Sequence, residues 1–141
     1  MKAFFVKNHI KLNGASNIIL SGAASSDHYV DIAEGATLKY EGSPIDISIY
    51  QLTIRGNGEL DNNNPILLSN SISKLVLAGE ITILLIEVTG SSLSGYGIEV
   101  QSNYTKVMTL NLLSQMGLSF IDQTYEFNVV NLNLKADSQL K

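Results

Sequence analysis

The feature that most constrains this chain is a spacing. Pairs of apolar residues separated by one position begin at Leu75, Ile86, Ile98 and Leu110, in steps of 11, 12 and 12 residues. Leu110 to Leu132 is 22 residues and Leu52 to Leu75 is 23, two such steps each. Stacked coils produce a lattice of this kind, because one coil cannot bury its apolar side chains alone and shares a core with its neighbours. At roughly 22 residues per coil the chain makes about six coils. With stacked strands ~4.8 Å apart, the rod is about 30 Å long.

Period-two alternation fills the lattice. It runs through Tyr29-Val30-Asp31-Ile32, Ile45-Asp46-Ile47-Ser48-Ile49, Leu52-Thr53-Ile54, Ile98-Glu99-Val100 and Val130-Asn131-Leu132-Asn133-Leu134, the signature of half-buried strands. Turn signals separate these runs: Asn13-Gly14, Ser21-Gly22, Glu34-Gly35, Gly42-Ser43-Pro44, Asp61-Asn62-Asn63-Asn64-Pro65 and Ser94-Gly95. The reading is all-β. An antiparallel β-sandwich is the alternative, since its strands recur every 8–12 residues or so. Two features favour the coils: Asn-Gly hairpin signals are few, and turn lengths vary while the pair spacing stays regular. The expectation is one domain over residues 1–141, a right-handed parallel β-helix or solenoid.

Val107, Leu110, Asn111 and Ser114 are helix-spaced, but alternation fits 107–116 better and places Met108, Leu110 and Leu112 on one side. The nearly continuous run Ile81–Val88 reads as a central strand buried on both sides.

Composition excludes several classes. With 45% hydrophobic residues the chain can build one sizeable core, and with 16% charged residues it does not read as disordered. A net charge of −4, with nine Lys+Arg spread along the chain, argues against nucleic acid as a partner. The absence of cysteine removes disulfides and thiolate zinc sites but leaves the compartment open. No run approaches the ~20 apolar residues of a membrane span. Met1–Val6 resembles the start of a signal peptide, but the apolar run stops at Lys7. If the protein is exported, its signal has been removed from this chain.

The sequence offers no pattern for a catalytic, cofactor or metal site. His9 and His28, the two histidines, lack metal-pair spacing and read as surface or turn residues. Asp61–Asn64 holds one carboxylate and reads as a turn rather than a calcium loop. Gly56-Asn57-Gly58 lacks the third glycine and following helix of a dinucleotide site. Gly90–Gly95 is a Ser/Gly turn with no nucleophile elbow. Asp27 with Asp31, and Glu80 with Glu87, are the carboxylate pairs to test for glycan cleavage, which needs about 5–9 Å between the two groups. Asn103-Tyr104-Thr105 fits a glycosylation pattern that is common by chance.

Three stretches carry a family likeness. Ile10–Leu20, Leu52–Leu60 with its Gly56-Asn57-Gly58, and Leu132–Ser138 resemble the strand pairs, the strand-then-Gly-x-Gly repeat and a late coil of the auto-transporter adhesin family known as the head GIN domain. Only Gly56/Gly58 and Gly95/Gly97 match the repeated glycine pair, so a shortened or divergent member is implied. The resemblance implies a β-helical bacterial envelope or extracellular protein, adhesin-like and without catalytic residues. Its partner would be a glycan or protein met at a surface. Thr53, Arg55, Asn111, Asn131 and Asn133 alternate with core positions and are the candidates for display. The alternatives are a structural solenoid that assembles into a homo-oligomer through its coil ends, and a small carbohydrate-active enzyme.

The register makes one sharp prediction. Leu77 and Val100 lie inside, so Leu77→Asp buries an unpaired charge and unfolds the domain, at a cost of about 4 kcal/mol or more. A soluble Leu77→Asp protein with a cooperative denaturation curve would show that this register is wrong.

Overall fold

A computed structural model describes residues 2–90, 97–113, 117–120, 124–134 and 139–140, the backbone alone for 117–120 and 139–140. Among the described residues there is no helix, and so none long and apolar enough to cross a membrane. Every strand pair is parallel. That excludes the antiparallel sandwich and makes the protein a β-solenoid of about five turns. The register step shortens along the chain. Lys2 pairs with His28, 26 residues on, whereas Leu52 pairs with Leu75, 23 on, and Gly97 with Ser119, 22 on.

Two walls face each other. The first stacks β1 (Lys2–Val6), β3 (Asp27–Ile32), β6 (Gln51–Gly56), β9 (Lys74–Ala78), β11 (Gly97–Val100), β13 (Gly117–Phe120) and β15 (Gln139–Leu140). The second stacks β2 (His9–Leu12), β4 (Thr37–Tyr40), β7 (Glu59–Asn62), β10 (Thr82–Val88), β12 (Lys106–Leu112) and β14 (Asn128–Leu134). Two short strands, β5 (Ile45–Asp46) and β8 (Ile66–Leu68), form a third facet that joins β10.

The spacing lattice is the ladder itself. Leu52, Leu75 and Ile98 are in register on the first wall, and Ile86, Leu110 and Leu132 on the second. Apolar columns therefore run along the rod. One is Val30, Ile54, Leu77 and Val100; another is Leu38, Leu60, Ile83 and Val107. All eight are buried, Leu77 at 0% and Val100 at 2% exposure. Each such side chain contributes about 1.5–3 kcal/mol on leaving water, and it leaves water only because a neighbouring coil lies above or below.

The second wall bends, and the bend corrects two expectations. In β10 the buried residues are Ile83, Ile86 and Val88, with Leu84 and Leu85 half-buried side by side. In β12 they are Val107, Leu110 and Leu112, with Met108 and Thr109 half-buried. Alternation skips one residue at the corner, so Met108 does not share the face of Leu110. The apolar run Ile81–Val88 is likewise not buried on both sides. It reads as continuous because Leu84 and Leu85 both sit on the corner.

Asn62 makes this corner. Three more residues separate Leu60 from Ile66 than separate Ile83 from Ile86, yet both pairs are in register. The backbone cannot follow β10 through that excess. The buried Asn62 carboxamide takes its place: Oδ1 accepts from the N–H groups of Leu84 and Leu85, both at 3.2 Å. Nδ2 donates to the carbonyls of Leu85 at 2.8 Å and Asn64 at 3.0 Å. One coil earlier, Tyr40 occupies the same position in register. Its buried hydroxyl donates to the Ser43 carbonyl at 2.6 Å and accepts from the Ile18 N–H at 3.0 Å. Of the Asp61–Asn64 run, Asp61 and Asn62 are therefore the end of β7 and only Asn63 and Asn64 form a turn, held by side-chain bonds to backbone.

The opposite corner is a glycine stack. Gly56 (φ +96°) and Gly79 (φ +134°) lie one above the other, and a Cβ on either would sit 2.2 Å from the carbonyl oxygen of the coil before it. Gly56-Asn57-Gly58 is this turn, and Asn57 Oδ1 accepts the Glu80 N–H at 3.0 Å.

Asn62→Ala leaves the Leu84 and Leu85 N–H groups without a partner in the interior. The expected loss is about 3 kcal/mol, read as a lower denaturant midpoint with an unchanged slope.

Candidate functional site

The five residues expected on display fall on two different walls. On the first, Tyr29, Thr53, Val76 and Glu99 form one outward row in register. Thr53 and Val76 are nonetheless only 6% and 4% exposed, so Thr53 is not a displayed residue. Long neighbours cover this face. The Arg55 guanidinium lies 4.4 Å above the Tyr29 ring, and its Nε bonds Asp31 Oδ2 at 3.1 Å. Lys74 and Glu99 approach to 3.9 Å. Arg55 is thereby held in an ion pair and a ring stack worth about 1 kcal/mol together.

The second wall carries the other three. Glu87, Asn111 and Asn133 are in register on β10, β12 and β14. Asn111 Nδ2 donates to Glu87 Oε1 at 3.2 Å, and Asn133 Nδ2 to Asn111 Oδ1 at 2.8 Å. This polar ladder follows the rod axis. Asn131 is exposed and donates to the Met108 carbonyl at 3.3 Å. Beside the ladder, along the bend, runs an open groove of about 600 Å³. Leu84, Leu85 and Met108 supply its apolar surface, and Glu59, Thr109 and Asn131 its hydrogen-bonding groups.

The carboxylate pairs do not converge. Asp27 and Asp31 are four residues apart on β3, about 13 Å of strand, and Asp31 is held by Arg55. Glu87 lies near the end of β10 and bonds Asn111, while Glu80 precedes that strand, seven residues or about 23 Å of extended chain away. Among the described residues no three His, Asp or Glu side chains gather as a metal site. In the glycosylation pattern, Thr105 is buried and donates to the Gly79 carbonyl at 2.7 Å, while Asn103 Oδ1 accepts the Glu126 N–H at 2.9 Å. Of Gly90–Gly95, residues 91–95 lie outside the described residues.

His28 was missed. It is neither a surface nor a turn residue but a core-facing member of β3, 5% exposed, with its ring edge-on to Tyr50 at 5.7 Å between centroids. The signal was present in the sequence: His28 has the parity of Val30 and Ile32. Among the described residues its Nε2 is the one buried side-chain polar atom without a hydrogen bond. It borders a second cavity, of about 220 Å³, at the β1 end of the core. His9 is exposed on β2.

Compared with known proteins, the chain matches no family model, no curated protein and no solved structure. Its class, a parallel β-solenoid, rests on its own ladder.

Proposed function

We propose that this protein is a non-enzymatic, adhesin-like binding module of the cell envelope or exterior, and that it holds a glycan chain along the bend of the second wall. The observation that carries this reading is the groove with its adjoining ladder. Hydrogen-bonding side chains repeat along the rod axis at the coil spacing, Glu87, Asn111 and Asn133 in register. Apolar surface from Leu84, Leu85 and Met108 lies alongside. A linear polymer of hydroxylated rings offers the same two surfaces, edges rich in hydroxyls and faces rich in C–H. The rigid ladder presents its groups without paying ordering entropy on binding. The likeness to the head GIN adhesins in Ile10–Leu20 and Leu52–Leu60 supports the location.

Two measurements check the reading. Fractionation of host cells should find the protein in the envelope or the medium, and a cytosolic location would sink it. On a panel of immobilised polysaccharides, Asn131→Ala and Met108→Asp should each weaken retention about tenfold with the fold intact. Equal retention by wild type and both variants would remove the groove from the account.

A specific observation favours a second reading, assembly through the coil ends. Leu132 and Leu134 are 41% and 56% exposed, although their register partners Leu110 and Leu112 are each at 1%. A further parallel coil, from a second copy, would cover them and pair the open edge of β14. Sedimentation should then show mass rising with concentration and falling in Leu132→Lys. A monomer at every concentration counts against it.

A further inference from the structure

The cavity at the β1 end is separate from the groove and has a different chemistry. Its walls are Phe4 of β1, Ile18 and Leu20 of the long first turn, Val30 of β3 and Leu52 of β6. The chain from 13 to 26 forms no strand, and Ile18 and Leu20 from this segment line the cavity. Ile18 and Leu20 pack on the core, and the Ile18 N–H is fixed to the Tyr40 hydroxyl.

Two polar groups meet at this cavity. Lys2 and His28 are direct partners in the β1–β3 ladder, and both belong to the core-facing parity of their strands, with Phe4 and Val30 next along. Lys2 is exposed and donates to Ser21 Oγ at 3.2 Å. None of the ion pairs among the described residues involves it. Residues 1–26 hold Lys2, Lys7 and Lys11 and no acidic residue; Lys11 is paired with Glu41, and among the described residues that line the cavity Lys2 is the one charged side chain other than the histidine, with no carboxylate beside it in the lining. His28 contributes a buried imidazole with an unpaired nitrogen, a group that a structure ordinarily satisfies.

From the cavity, the orphan imidazole and the lysine above it, we propose that this is a binding site for a small amphiphilic carboxylate. The carboxylate is held between the Lys2 ammonium and a His28 N–H. The apolar body lies against Phe4, Ile18, Leu20, Val30 and Leu52. An apolar cavity of about 150 Å³ admits benzene, so 220 Å³ accommodates a ring or a short alkyl chain. A charge-assisted contact with Lys2 fixes the head, and the bond to His28 satisfies the orphan nitrogen.

Octanoate is the probe, titrated into the full chain. Calorimetry should show saturable 1:1 binding, and the His28 ring resonances should shift with the same isotherm. Lys2→Ala, at an exposed position that leaves the fold intact, should weaken octanoate about fivefold while leaving the neutral octanol unchanged. His28→Phe, which keeps the shape, should weaken both. The proposal is overturned if octanoate leaves the His28 resonances unmoved at saturating concentration. It is equally overturned if wild type and Lys2→Ala bind octanoate alike, which would leave a non-specific apolar void.

Discussion

Everything in this molecule depends on a parallel ladder kept in register from coil to coil. A coil has no interior of its own. The face that carries Leu52 and Ile54 becomes a core face only because Val30 lies on one side of Ile54 and Leu77 on the other. The same ladder that satisfies the backbone also sets the height at which side chains meet, so hydrogen bonding and apolar burial are fixed by one geometric choice. A slip of one residue would turn every core position outward. The Gly56–Gly79 stack resists such a slip, because only a residue without Cβ fits beneath the carbonyl above it.

The sequence carried this plan to a large extent. The steps from Leu52 to Leu75 and from Leu110 to Leu132 are ladder contacts, and Leu77 and Val100 are inside as their parity requires. What it did not carry was the bend. Alternation is a property of straight strands, and at Leu84-Leu85 and Met108-Thr109 the second wall turns within a strand. At Leu84-Leu85 both corner residues are apolar, so the run reads as a strand buried on two sides.

The candidate sites were less legible. Asn111, Asn131 and Asn133 were placed on the correct outward face, because parity alone decides that. Thr53 shared the same parity and is buried, since exposure on a sheet depends on the length of the flanking side chains, here Tyr29, Arg55 and Lys74. The histidine at position 28 had core parity in plain view. It was passed over because an imidazole between apolar neighbours gives no motif. Its unusual state, a buried nitrogen without a partner, appears only in the folded chain, where His28 lines a cavity with Ile18 and Leu20 of the first turn.

The carboxamide of Asn62 has a consequence for how such a rod can vary. A side chain there performs the pairing that backbone performs elsewhere, so the ladder above no longer depends on how many residues the coil below uses to round the corner. Coils of unequal length can share one stack: the three extra residues between Leu60 and Ile66 leave Ile66 in register with Ile86. The opposite corner, closed by glycines against carbonyl oxygens, has no such freedom. The rod has one seam that absorbs a difference in coil length and one that does not.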